Sequence, residues 1–170
     1  HMMVAKGLFN TDERISMGKP VTPAFLFAVL LWEPVRARAL ALQAEGVSEI
    51  QSLQIASEAV IIEQIQRVAL PKRFSLQTRE IWVMQARLKR RNGKRAERLF
   101  EHTRFRAAYD FLLLRAESGE DELQPLADWW TEYQEVNEDS RTNMAQKAPL
   151  GGAKKKRRRR RRKPSQGKAE

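Results

Sequence analysis

Cysteine is absent from the 170 residues, and histidine occurs only at positions 1 and 102. The first absence excludes a disulfide scaffold, a thiolate-ligated zinc or iron–sulfur site, and thiol catalysis. With two imidazoles, a multi-histidine metal site or a Ser–His–Asp machine is not expected. Long apolar runs are missing too: the longest, Ala24–Trp32, has nine residues, against the ~20 needed to cross a bilayer. No P-loop, G-x-G-x-x-G or Asp-x-Asp occurs. Nucleotidyl transfer needs a carboxylate pair that holds two metal ions, so catalysis by this chain alone is not expected and no catalytic residue or metal ligand is assigned. The acid clusters Asp12-Glu13 and Glu120-Asp121-Glu122 stand where helices would start and complement the helix dipole. No signal peptide is visible, and the expected location is cytoplasmic. His1-Met2-Met3 reads as a cloning remnant.

What is present is helical periodicity and positive charge. Strand-like alternation is missing, so the pattern predicts an all-α fold of about six helices with a disordered basic tail. Thr22-Pro23 opens a helix that passes Pro34 and stops at Gly46. Ser48 caps a second, to about Val68, and Pro71 ends it. The third runs from Ser75 to about Arg91 and closes at Asn92-Gly93. Lys94–Phe100 is short, Thr103 opens a fifth to about Glu117, and the last covers about Asp121–Val136. The expected division is a vector remnant and flexible lead-in at 1–9, a helical body at 10–136 and a disordered Lys/Arg-rich tail at 137–170.

The formal charge of +11 is unevenly placed. Residues 150–170 carry a net of +10, and residues 67–106 carry another +10 from 13 basic and three acidic residues. Residues 1–66 are net −2 and residues 107–149 net −7. At 100° per residue, Ile81, Met84 and Leu88 point one way. Arg79, Arg87, Arg90 and, if the helix runs that far, Lys94 point nearly the other. Lys89 and Arg91 flank that basic stripe, and Arg95, Arg98, Arg104 and Arg106 follow. Such density suits a polyphosphate backbone, because each contact releases a condensed counterion. Arginine also suits bidentate phosphate contact and stacking on bases. A solvated face, or neutralisation by the acidic 107–149 segment, is the plainer alternative. The run Lys154, Lys155, Lys156, Arg157, Arg158, Arg159, Arg160, Arg161, Arg162, Lys163 has nothing apolar to bury and reaches about 33 Å when extended. It reads as an arm that tracks phosphates without base specificity; acidic proteins, anionic lipid or an address signal are the alternatives. Trp82 and Trp129 are the candidates for stacking on bases, Trp130 reads as core, and His102 is given no chemistry.

A resemblance attaches to the central residues. The stretch Ala69-Leu-Pro-Lys-Arg-Phe-Ser-Leu-Gln-Thr-Arg-Glu-Ile-Trp82 resembles the C-terminal part of bacterial poly(A) polymerases. So do Gly93-Lys-Arg-Ala96, Leu99-Phe-Glu-His102, Phe105-Arg-Ala-Ala-Tyr-Asp110 and Leu113-Leu-Arg-Ala-Glu117, with Val21–Phe27 upstream and Trp129-Trp130 downstream in the same order. The arginine-rich tail is similar in character. The likeness covers roughly residues 10–135 plus the tail. It implies relatives of the tRNA CCA-adding enzymes that add adenylates from ATP to RNA 3′ ends, using ATP and a divalent metal in a catalytic head this chain lacks. The implied role of the region is RNA engagement. Lys72, Arg73, Arg79, Lys94, Arg95, Arg104 and Arg106 match basic positions of the family. Implied partners are RNA, the catalytic head in cis and RNA-decay proteins, with no membrane. The alternative is a protein-interaction module docking on the head or a decay partner.

Overall fold

An apolar stripe on a helix needs a second surface to cover it, and in this chain other helices provide it. The computed structural model describes residues 2–18, 21–67 and 71–150, positions 14 and 15 by backbone alone, and every regular element among them is helical. The elements are α1 (Met2–Ser16), α2 (Pro23–Leu30), α3 (Trp32–Ala44), α4 (Glu49–Arg67), α5 (Lys72–Leu88), α6 (Lys94–Phe100), α7 (Phe105–Glu117), a 3₁₀ turn (Asp121–Leu123), α8 (Gln124–Glu135) and α9 (Glu138–Lys147). The all-α expectation holds, with three more helices than the periodicity predicts.

Each addition has a physical cause. The first predicted helix divides at Leu31, whose φ of −102° and ψ of 6° leave the helical region. Pro34 then sits in the first turn of α3, where its missing N–H has no helical acceptor to lose. Residues 2–9 form the start of α1 and not a flexible lead-in. Met3 is buried, and Gly7 lies so close to α2 that an added Cβ would stand 2.7 Å from a Val29 methyl. Residues 138–147 are likewise helical, which corrects the expected disorder from 137. Asn137 caps this helix by accepting a bond from the Ser140 N–H at 3.0 Å. The terminal run 151–170, with all ten consecutive cations, lies outside the described residues, as does Val68.

Two apolar clusters share α5 and α7. The first gathers Trp32, Val35, Val60, Ile81, Trp82, Phe111 and Leu114, with α1 to α4 around it. The second gathers Met84, Leu88, Phe105, Tyr109, Leu112, Leu126, Trp130 and Tyr133, with α6, α8 and α9. Since α5 is covered on two sides, residues Ile81 to Ala86 are all buried, in an unbroken run. Thr78 Oγ1 donates to the Ala24 carbonyl and Trp82 Nε1 to the Ala28 carbonyl, each at 3.0 Å, which bolts α5 to α2. Between the clusters lies a polar bridge. Arg115 pairs with Glu120 through two bonds of 2.8 and 2.5 Å, reaches Gln85 Oε1 at 3.3 Å, and covers the Trp32 ring at 4.6 Å.

Candidate nucleic-acid interface

The basic segment gets its shape from the way α5 ends. Its last residue is Leu88, whose carbonyl accepts a bond from Trp130 Nε1 at 3.1 Å. That donor meets one of the carbonyls a helix terminus leaves unpaired. Five residues on, Gly93 adopts φ 55°, ψ −142° and donates its N–H to the Ala145 carbonyl at 2.8 Å. Loop 89–93 is thus pinned at one end by α8 and at the other by α9. Lys94 opens a separate helix, so it does not continue the α5 stripe that holds Arg79 and Arg87.

The twelve candidate cations between Lys72 and Arg106 separate into three groups. Four sit in ion pairs: Arg79 with Glu58 at 3.7 Å, Lys89 with Glu49 at 2.5 Å, Arg104 with Glu80 at 3.1 Å and Arg106 with Asp110 at 3.1 Å. Only Asp110 belongs to the acidic 107–149 segment. The other anions come from α4 and from α5 itself. Three more are engaged otherwise. Arg73 covers the Phe74 ring at 4.7 Å, Arg91 covers the Trp129 ring at 5.1 Å, and Arg95 donates to Asn92 Oδ1 at 3.1 Å. Burial lowers the Arg91 pKa, and its Nε is enclosed without a hydrogen-bond partner. The side chains of Lys72, Arg87, Arg90, Lys94 and Arg98 form neither an ion pair nor a hydrogen bond among the described residues. Lys72, Arg87, Lys94 and Arg98 are exposed and Arg90 is half-buried.

The two aromatic candidates are used internally. Trp82 is fully buried and its N–H is spent on α2, so it presents no face to a base. It is a stacking candidate by sequence, but α5 packs on two sides and its flank turns inward. Trp129 is half-buried, stacked on Tyr133 at 5.0 Å and 20°, and covered by Arg91. Trp130 is core, as its helical position indicates.

A feature the sequence did not expose is a groove of about 340 Å³ along α5, lined by Gln54, Leu76, Arg79, Glu80, Val83, Met84, Arg87 and His102. His102 belongs to it because the turn after α6 carries the ring over α5. A larger cleft of about 630 Å³ lies between α1, α2, α5 and α7. Arg104 and Arg106 line it, but so do Glu13, Asp110 and Glu117, so its charge does not favour a polyanion. Among the described residues no three histidine, aspartate or glutamate side chains converge to hold a metal ion, and no helix is long and apolar enough to cross a membrane.

Residues 45–164 match the family model described as "Polymerase A arginine-rich C-terminus". The chain belongs to this family. The matched span opens just before α4 and includes the basic run 154–163 beyond the described residues. Among curated relatives, the poly(A) polymerase I proteins of Salmonella typhi and of Escherichia coli O157:H7 are each 44% identical over 134 residues, 78% of this chain and 29% of theirs. Poly(A) polymerase I of Haemophilus influenzae is 36% identical over 146 residues, 85% of this chain and 32% of its own length. The chain therefore spans about a third or less of the relatives it matches. It corresponds to the arginine-rich C-terminal region of such polymerases and not to their nucleotidyltransferase head.

Proposed function

We propose that this region binds RNA for a bacterial poly(A) polymerase, holding the phosphate backbone while the catalytic head adds adenylates from ATP to the 3′ end. The observation that carries the reading is the distribution of unpaired charge. Along 87–98, the side chains of Arg87, Arg90, Lys94 and Arg98 have no partner among the described residues, while Lys89 is ion-paired and Arg91 and Arg95 are engaged by Trp129 and Asn92. Unpaired exposed cations repel one another, and a phosphate chain relieves that repulsion while releasing its counterions. Loop 89–93 is pinned, so the cations project from a fixed frame, which lowers the ordering cost of binding. The run Lys154–Lys163 adds reach and on-rate. ATP and divalent metal belong, in this reading, to the head. The described residues offer no metal-binding cluster. Messenger-RNA processing in the cytoplasm is the corresponding setting.

Simultaneous reversal of Arg87, Arg90, Lys94 and Arg98 to Glu tests the reading. Single-stranded RNA affinity should fall, and the slope of log K against log salt should become shallower by about 3, since each phosphate neutralised on a single strand contributes ~0.7. Unchanged affinity and slope would return RNA binding to the tail alone. A second reading, docking on the head or on an RNA-decay protein, is favoured by a different feature: Ile55, Ile62 and Ile65 are about half exposed on α4.

A further inference from the structure

We propose that the α5 groove seats one unstacked base of single-stranded RNA, beside the cations that hold the adjoining phosphates. The inference rests on the RNA-binding reading above and names where on the surface a base, as distinct from a phosphate, is received.

Six of the eight lining residues come from α5, at positions 76, 79, 80, 83, 84 and 87. Those spacings of three and four trace one stripe along a helix, about 16 Å long from Leu76 to Arg87 at 1.5 Å per residue. Its exposed apolar surface is Leu76, while Val83 and Met84 line it and are themselves buried. Gln54 from α4 stands on one side and His102 from the α6–α7 turn on the other. A phosphate chain alone has no use for an apolar surface. A nucleotide does, since its base pairs an apolar face with polar edges and hangs from an anion.

Two polar groups at the groove have unused bonding capacity. The side chain of Gln54 makes no hydrogen bond among the described residues, and its amide offers one acceptor and two donors. His102 Nδ1 accepts the Arg104 backbone N–H at 3.1 Å, so the neutral ring carries its proton on Nε2. That leaves Nε2 as a donor with no partner among the described residues. The Arg104 bond also fixes the ring's orientation. At the far end of the stripe stands Arg87, exposed and without a side-chain partner among the described residues, and Arg90 follows three residues on. A base seated in the groove places its phosphate at the Arg87 end.

The test compares a labelled single-stranded RNA 12-mer with an abasic 12-mer that has the same phosphates and no bases, using the full chain at one salt concentration. His102→Ala and Gln54→Ala should each weaken the base-bearing RNA by two- to tenfold, the size of one neutral hydrogen bond. Both should leave the abasic ligand unchanged. His102→Gln, which keeps an N–H donor, should recover most of the loss. On the unmodified chain, base-bearing RNA should slow carbethoxylation of His102 and the abasic ligand should not. Equal losses on both ligands would make the groove a phosphate contact and overturn the proposal. So would affinities unmoved by either substitution, or protection of His102 that ignores the bases. The quadruple charge reversal separates the two levels. If it leaves RNA affinity intact, RNA binding belongs to the tail alone, and the folded strip and the groove are discarded together. If it weakens RNA while the groove variants do not, only the groove is discarded.

Discussion

Arg115 is 7% exposed, a position a guanidinium tolerates only when its donors are met. Glu120 and Gln85 meet them. Burial alone would raise the Glu120 pKa, but the hydrogen bonds and charge of Arg115, with Arg36 nearby, outweigh it and leave the carboxyl below its ordinary value. A depressed native pKa contributes stability that is complete above the unfolded value of about 4.3 and is lost as pH falls through the native one. Glu120→Gln should therefore cost about 1–3 kcal/mol at neutral pH, with the gap to wild type closing below about pH 4 in urea titrations. A gap that persists into strong acid would assign the cost to packing instead. Trp82 tests the same scale differently. Trp82→Phe should lose about 1–3 kcal/mol by orphaning the Ala28 carbonyl, while RNA affinity stays at the wild-type value. A selective loss of RNA affinity would restore the stacking role that its burial denies.

At the scale of elements, α9 has almost no apolar stripe, yet it is docked. Arg141 Nε donates to the Tyr133 carbonyl at 2.8 Å and Nη2 to the Gln134 carbonyl at 3.0 Å, while the guanidinium covers Phe100 at 4.5 Å. One side chain closes the end of α8 and holds α9 against α6. Arg141→Ala should cost about 1.5–3 kcal/mol, the range for hydrogen bonds with a charged donor. Amide exchange should accelerate at Val136 and through α9 while α2–α5 keeps its protection. Uniform acceleration would mean that α9 does not open independently. The same element shows why part of the fold was illegible. Periodicity detects helices through apolar spacing, and α9 is held by an arginine reaching carbonyls eight and seven positions before it. By contrast α6, bounded by Asn92-Gly93, and the C-terminal end of α7 at Glu117 fall where capping and turn residues place them.

The whole molecule carries two centres of about +10, one folded and one terminal, and they should behave differently in salt. Ending the chain at residue 150 should reduce RNA affinity and flatten the salt slope, yet leave binding that the quadruple reversal then abolishes. Complete loss on truncation would remove the folded centre from the mechanism. The candidate site was partly legible for the same reason. Charge density along 67–106 marks where a polyanion would be attracted. It does not reveal that Glu49 and Glu58, from a helix earlier in the chain, neutralise Lys89 and Arg79. Nor does it show that Arg87, Arg90, Lys94 and Arg98 are left over.

Composition, helical spacing and family blocks are properties of the chain read in order, so they determine the all-α class, the two basic centres and membership in the arginine-rich C-terminal family without any coordinates. Three things required the third dimension. Trp82 became core because α5 is packed on two sides. The ion pairs were settled by which helices lie adjacent. The α5 groove exists because a turn about twenty residues downstream brings His102 over Val83 and Met84. Each depends on contacts between residues distant in sequence, and no local pattern encodes a partner that arrives from another helix.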